Sequence, residues 1–126
     1  MRQADRDLAA ALSNAREQFF EWACFLSQQA AEKSLKAFLY LQGERAVIGH
    51  SILTLVRRAA AYASNLNQLQ EAKRLDEVYI PSRYPNGLDD GAPGEFYSAK
   101  DAQECIALAD HVIACVKQQV AMSSDS

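Results

Sequence analysis

A row of polar side chains in the first third of the sequence could bind a phosphate group. Gln29, Lys33 and Lys36 are separated by four and then three residues, and Tyr40 follows four residues later. On a helix, this spacing places all four side chains on one face. Two neighbouring ammonium groups would attract a phosphate, but a solvated charged helix surface explains the same residues. The sequence leaves both interpretations open.

A second candidate group lies in the segment that contains Tyr79, Arg83 and Tyr84. A guanidinium group can hold two phosphate oxygens at once, and tyrosine rings can stack on bases. The same residue types are enriched in protein interfaces, and an ordered structural loop is a third interpretation. If the segment folds against the helix of Lys33 and Lys36, its guanidinium joins their ammonium groups in one anion-binding cleft.

The two histidines, His50 and His111, are the candidates for acid–base chemistry. Metal-free RNA cleavage needs a base for the 2′-hydroxyl and a cation that holds the phosphate as charge builds. Imidazole titrates near neutral pH and suits the first role. Arg45 and His50 form an Arg-x4-His pair, yet we favour a structural role for His50 at a helix start. His111 is interpreted as a structural or dimer-face residue.

The composition is that of one globular domain. Hydrophobic residues make up 49% and charged residues 23% of the 126 residues. We predict a single domain over residues 1–122 and a frayed tail over 123–126. The formal net charge of −3 would repel nucleic acid, so RNA binding would depend on a local basic patch.

The sequence offers no signal for a membrane, a secretory route or a metal. No apolar run approaches the ~20 residues of a membrane span, and the charged N-terminus is unlike a signal peptide. We therefore expect a cytoplasmic protein with no membrane contact. Cys24, Cys105 and Cys115 have neither CxxC nor Cys/His ligand spacing. We expect buried free thiols, no metal and no other cofactor.

The elements that must position these residues are helices, because helical periodicity runs through the sequence and β-branched residues are sparse. We predict an all-α fold, an antiparallel bundle of about five helices. The predicted helices cover about residues 4–19, 19–42, 52–63, 66–79 and 99–120. Ser51 is a predicted N-cap, and Ser98 with Asp101 resembles a capping box.

Four ordered motifs resemble the HEPN family across about residues 5–120. The run QQAAEKSLKA at 28–37 is similar to the central helix of the family. The run GHSILTL at 49–55 is similar to the short motif that opens the following helix. The run LDEVYIPSRYP at 75–85 resembles the YIxxRYP segment of the family, and YSAKDA at 97–102 the opening of its last helix. The chain is therefore identified as a HEPN-type protein.

This resemblance implies a helical bundle that is commonly a homodimer and is often encoded beside a minimal nucleotidyltransferase. The favoured function is a toxin-type partner of such an enzyme, with a cleft for nucleotide or RNA phosphate. The candidate cleft residues, which follow from their types and spacing rather than from the resemblance, are Gln29, Lys33, Lys36, Tyr79, Arg83 and Tyr84. A non-catalytic interaction module is one alternative.

A metal-independent endoribonuclease is the other alternative. Ribonuclease members of the family carry an arginine followed by a histidine four to six residues later. After Arg83, those positions hold Gly87, Leu88 and Asp89, so the base is absent there. Catalysis by Arg83 would need a base from elsewhere, and His50 is the candidate.

Overall fold

The computed structural model describes residues 1–78 and 97–124 and contains five helices within them. The helices are α1 (Arg2–Arg16), α2 (Phe20–Leu41), α3 (Ile52–Ala60), a 3₁₀ helix (Ser64–Glu77) and α4 (Ala99–Ser124). The described part contains no strand. α2 is the central helix, since it contacts every other one. The predicted all-α bundle is confirmed.

The buried side of α2 is built from small and large apolar residues. Ala23, Ala30 and Ala31 are fully buried and allow neighbouring helices to approach closely, while Leu35 and Phe38 fill the space between the helices. The helical pattern of the sequence predicts that this helix is buried on more than one side, and the structure confirms it. Helical periodicity also predicts Trp22 and Leu41, at the two ends of the helix, as core residues, and this prediction is wrong because Trp22 is 47% and Leu41 65% exposed.

The turn between α1 and α2 explains a further exposed aromatic residue. Gln18 has a φ of 67°, in the left-handed region that non-glycine residues rarely adopt, and it redirects the chain after Arg16. Phe19 then lies at the start of α2 and is 52% exposed. Helical periodicity predicts Phe19 on the buried stripes of both helices, and this prediction is wrong.

The fourth element is a 3₁₀ helix. Its buried residues recur every third position and are Leu66, Leu69, Ala72 and Leu75. A 3₁₀ helix has three residues per turn, so positions i and i+3 lie above one another on one face. The element begins at Ser64 and ends at Glu77, slightly earlier than predicted.

Both predicted helix starts are confirmed. The amide of Thr54 donates to Ser51 Oγ (3.2 Å) at the start of α3. At α4 the capping box is reciprocal: the Asp101 amide donates to Ser98 Oγ (3.2 Å), and the Ser98 amide donates to Asp101 Oδ2 (2.8 Å). Asp76 of the 3₁₀ helix adds a tertiary cap, because its carboxylate accepts from the Ile52 amide at 2.6 Å.

α4 is the longest helix and closes the bundle against α1, α2 and the 3₁₀ helix. By length and apolar composition alone, its stretch Ala99–Met122 could cross a membrane, a property that the core helices of soluble proteins share. α4 continues to Ser124, and residues 125–126 lie outside the described residues, so the frayed tail stays a prediction.

Candidate functional site

A buried carboxylate organises a polar cluster between α2 and the start of α3. The side chain of Glu32 is only 7% exposed, and its Oε1 lies 3.1 Å from His50 Nδ1. Gln28 Nε2 donates to the same oxygen at 3.3 Å, and Lys36 Nζ lies 3.6 Å from Oε2. The side-chain Nε2 of Gln29 donates to Gln28 Oε1 at 2.7 Å. We call Gln28, Gln29, Glu32, Lys36 and His50 the Glu32 cluster.

Local structure explains why these side chains meet. Gln28, Glu32 and Lys36 follow one another at steps of four residues, so they lie along one face of α2. On the other side, Gly49 has a φ of +107°, a conformation that favours glycine, and it delivers His50 to the start of α3. Gln28 Nε2 also donates to the backbone oxygen of His50 at 3.3 Å, which ties the two elements together.

The second lysine of the predicted face has a different partner. Lys33 Nζ donates to Asp7 Oδ2 of α1 at 2.6 Å, and Asp7 also accepts from Gln3 Nε2 at 2.9 Å. Lys33 and Lys36 therefore each lie beside a different carboxylate, one from α1 and one from α2 itself. A phosphate bound at this face would have to share both ammonium groups with Asp7 and Glu32.

The remaining residues of the predicted cleft, Tyr79, Arg83 and Tyr84, lie outside the described residues. The meeting of the Arg83 guanidinium with Lys33 and Lys36 therefore stays a prediction.

The pairing of His50 with Glu32 has a chemical consequence. The imidazole side chain is 57% exposed while the carboxylate beside it is buried. If Nδ1 carries the proton that points to Glu32, the tautomer is set and Nε2 carries the lone pair that accepts a proton. In this tautomer the Glu32 carboxylate holds the imidazole ring of His50 in place through Nδ1, which is the arrangement that a histidine general base requires. Arg45, its partner in the Arg-x4-His pair, is exposed in the loop after α2.

A separate charged cluster joins the 3₁₀ helix to α4. The Arg74 guanidinium lies 2.7 Å from Glu104 and 3.4 Å from Asp101. Hydrogen bonds from the Ser98 amide and hydroxyl, with a smaller contribution from Arg74, lower the pKa of Asp101 below its ordinary value. The lowered pKa keeps Asp101 ionised, which suits its role as a helix cap.

The charged surface of the α2–α3 loop also has its own pairing. Glu44 contacts the guanidinium of Arg58 and accepts a hydrogen bond from Tyr62 Oη at 2.9 Å. This hydrogen bond, to a group that is already negative, raises the pKa of Tyr62. These contacts hold the loop against the end of α3.

The thiols of Cys24 and Cys105 are free and buried, whereas Cys115 is partly buried. His111 is exposed on α4, with its ring 3.9 Å from Cys115 Sγ. Over residues 1–78 and 97–124, no group of three histidine, cysteine, aspartate or glutamate side chains is arranged to hold a metal ion.

The sequence predicts Glu32 as the partner of Lys36 four residues later, and this pair is present, but sequence reasoning missed the burial of Glu32 and missed Asp7 and Gln28 altogether. Asp7 lies between Ala4 and Ala11 at helical spacing, so a carboxylate on the buried stripe of α1 was the available signal. Gln28 and Glu32 similarly interrupt the buried face of α2. A polar residue on an apolar stripe needs a partner, and its presence predicts a buried hydrogen bond.

The chain matches known proteins over nearly its whole length. Residues 1–119 match the family model of the HEPN domain. Solved structures agree: an archaeal HEPN homologue, ST0689, is 41% identical with a TM-score of 0.76, over 94% of this chain and 93% of that one. The HEPN domain protein tm0613 of Thermotoga maritima is 28% identical with a TM-score of 0.74, over 94% and 93% of the two chains.

Two further relatives extend this similarity to other organisms. TT1696 from Thermus thermophilus is 35% identical with a TM-score of 0.79, covering 93% of this chain and 92% of that one. A protein of Methanocaldococcus jannaschii named "Putative toxin MJ1304" is 27% identical over 93% of this chain and 83% of its own length. The family model covers all five helices except the last residues of α4. This chain therefore belongs to the HEPN domain family.

Proposed function

We propose that this protein is the toxin-type subunit of a two-protein system and that its partner is a minimal nucleotidyltransferase. The observation that carries this proposal is the match to a toxin-named relative over 93% of this chain, within a HEPN match to residues 1–119. In this role the polar face of α2 contacts the phosphate of a nucleotide or an RNA, and the protein works as a cytoplasmic homodimer.

The charges on the described face indicate which residue must attract the phosphate. Lys33 and Lys36 carry two positive charges, and their partners Asp7 and Glu32 carry two negative ones. The net charge of the described face is therefore close to zero, and it offers little attraction to an anion by itself. Arg83, from the segment beside Tyr79 and Tyr84, would supply the surplus positive charge. Its guanidinium would bind the phosphate, and Gln29 and the two lysines would add donors.

Ligand binding is tested by fluorescence anisotropy with labelled ATP and short single-stranded RNA. We expect Arg83→Ala to raise the Kd about tenfold or more, because a charge-assisted hydrogen bond contributes roughly 1.5–3 kcal/mol. Lys33→Ala should weaken binding less, since Lys33 is already neutralised by Asp7. The matched control is Lys117→Ala, because Lys117 also pairs with a carboxylate of α1, Asp5, at 2.7 Å.

Three outcomes of this experiment distinguish the classes of function. Equal losses in the Arg83 and Lys117 variants would argue against a phosphate site on α2. Absence of binding and of any thermal shift with ATP, GTP or RNA would favour the non-catalytic interaction module. Binding that depends on Arg83 supports the proposed cleft.

The partnership itself needs a separate measurement. We expect the protein to co-purify with a nucleotidyltransferase encoded beside its gene when the two are co-expressed and only the partner carries a tag. Sedimentation equilibrium of the protein alone should give the mass of a dimer at tens of micromolar. Exposed Leu12, Phe19 and Trp22 provide apolar surface for such contacts. A monomer that does not bind the enzyme would contradict the proposal.

A second candidate function is metal-independent RNA cleavage, which the pairing of His50 with buried Glu32 favours. Cleavage of labelled RNA in EDTA tests it. His50→Ala should abolish cleavage, and Glu32→Gln should reduce it because the imidazole loses its anionic partner. His111→Ala is the control, since His111 is the other histidine and lies exposed on α4. Cleavage that survives both His50→Ala and Arg83→Ala would refute these assignments.

A further inference from the structure

A histidine and a cysteine lie one turn apart on the solvent-facing side of α4. His111 is exposed and Cys115 is partly buried, and Cys115 Sγ lies 3.9 Å from both Nδ1 and Nε2 of His111. Helical side chains lean toward the N-terminus of their helix, so the sulfur of Cys115 covers the turn that carries His111. The two side chains therefore present an imidazole and a thiol to the same point on the surface.

We propose that His111 and Cys115 chelate a zinc ion. Imidazole nitrogen and thiolate sulfur are donors that zinc prefers. In a tetrahedral site, with Zn–S of about 2.3 Å and Zn–N of about 2.0–2.1 Å, the two donor atoms are about 3.6 Å apart. The separation of 3.9 Å between Sγ and each ring nitrogen is only slightly longer. Because the ring is exposed, it can rotate to point one nitrogen lone pair at a metal held by the sulfur.

The bundle holds this turn of α4 in place before any metal binds. Val112 and Val116, which follow His111 and Cys115 in the chain, are fully buried in the core. Their burial fixes the helix backbone, so metal binding has to order only the two ligating side chains. The chelate is therefore preorganised at the level of the backbone.

A side chain from the neighbouring 3₁₀ helix reaches the same sulfur. Gln68 Nε2 lies 4.0 Å from Cys115 Sγ, and a half turn of the amide group brings its carbonyl oxygen to this position. Over residues 1–78 and 97–124, no third histidine, cysteine or carboxylate joins the pair. We therefore assign the remaining coordination positions of the zinc to the Gln68 oxygen and to water.

The protonation of the thiol limits the affinity of this site. Burial raises the pKa of Cys115, so the thiol carries its proton before the metal binds. Zinc binds the sulfur as a thiolate, and the displaced proton passes to water, while His111 binds as the neutral imidazole. We expect a reversible site with a micromolar Kd.

This kind of site differs from the metal sites that the sequence makes improbable. The cysteine spacings of the chain lack the motifs of closed zinc sites with four protein ligands. A pair at positions i and i+4 of a helix supplies two principal ligands and leaves open positions, so its metal can exchange. The site goes beyond the proposed toxin function and does not depend on it.

Titration of the full-length, reduced protein with cobalt chloride and then zinc chloride tests the chelate. We expect one cobalt ion per chain and the near-ultraviolet absorption of a cobalt–thiolate bond, which zinc then removes. His111→Ala and Cys115→Ser should each raise the metal Kd more than about tenfold, and Gln68→Ala should raise it less. His50→Ala is the matched control, because it removes the other histidine of the chain and should leave the metal Kd unchanged.

A measurement on the wild-type protein keeps the test independent of how well the variants fold. Cys115 is the only one of the three cysteines that is not buried. Zinc should protect it from alkylation in the native protein, as read by peptide mass spectrometry, and EDTA should restore its reactivity. An unchanged alkylation rate at Cys115 in millimolar zinc would overturn the proposal. A cobalt–thiolate absorption that survives Cys115→Ser would also overturn it, since Cys24 or Cys105 would then hold the metal.

Discussion

At the scale of a single residue, the buried carboxylate of Glu32 depends on its partners for stability. Its carboxylate lies against Gln28, Lys36 and His50, so its removal would take one acceptor from the buried side-chain amide of Gln28 and the anionic partner from Lys36, whose side chain is 20% exposed. We expect Glu32→Ala to lower the free energy of unfolding by about 2–4 kcal/mol. Glu32→Gln keeps an acceptor and should cost less. Urea denaturation measures both, and equal costs would contradict the network.

The buried serines of α2 provide the opposite case. Ser34 is fully buried, and its Oγ has no hydrogen-bond partner among the described residues. Ser34→Ala removes this unpaired hydroxyl and introduces the best helix former, so we expect a gain of roughly 1 kcal/mol in the free energy of unfolding.

The matched control for Ser34 is Ser27, also fully buried on α2. Its hydroxyl donates to the Ala23 carbonyl oxygen at 2.7 Å. Ser27→Ala should therefore gain less than Ser34→Ala or lose stability. If Ser27→Ala is the more stabilising of the two, the hydroxyl of Ser34 has a partner such as a bound water.

At the scale of the element, the start of α4 depends on a charge. The pKa of Asp101 is lowered in the folded protein, so its contribution to stability is present above its unfolded pKa and is lost as pH falls through the folded value. We expect Asp101→Ala to cost about 0.5–2 kcal/mol at neutral pH and progressively less below pH ~4. Thermal melts between pH 7 and pH 2 measure this dependence. Asp110→Ala, on the exposed side of the same helix, should change stability little at any pH.

The elements themselves were largely predictable from sequence, and the 3₁₀ helix shows where prediction stopped. Helical periodicity predicts that Leu66, Leu69, Ala72 and Leu75 face inward, and all four are buried, but their strict spacing of three does not fit the α-helix expected from the sequence. An α-helical stripe alternates steps of three and four, whereas a constant step of three is typical of a 3₁₀ helix. Sequence periodicity contained this information.

The candidate site was less predictable for a physical reason. The order of residues along α2 predicted that Lys33 and Lys36 share a face, since this depends only on helix geometry. Their partners depend on how other elements pack, because Asp7 comes from α1 and His50 comes from a loop. Local patterns do not determine these tertiary contacts. The position of Arg83 stays a prediction for the same reason.

At the scale of the whole molecule, the net charge of −3 repels RNA, so the proposed RNA contact depends on local cations and should weaken as salt rises. Each phosphate that a cation neutralises on a single strand contributes a slope of about −0.7 to the dependence of log K on log salt. Because Asp7 and Glu32 already neutralise Lys33 and Lys36, the surplus charge of Arg83 would give a slope of about −0.7. Arg83→Ala should make the slope shallower, and Lys117→Ala should not. A slope near zero would mean that RNA binds through uncharged contacts or not at all.

The carboxylate of Asp76, which caps α3, also couples the opening of α3 to that of the 3₁₀ helix. A helix of nine residues is too short to persist alone in water, and the first amides of α3 donate to Asp76 of the 3₁₀ helix. Those amides can exchange with deuterium only after the 3₁₀ helix has moved away. The two neighbours should therefore open as one cooperative unit, and hydrogen exchange should report the same opening free energy for the Ile52 amide as for the amides of the 3₁₀ helix.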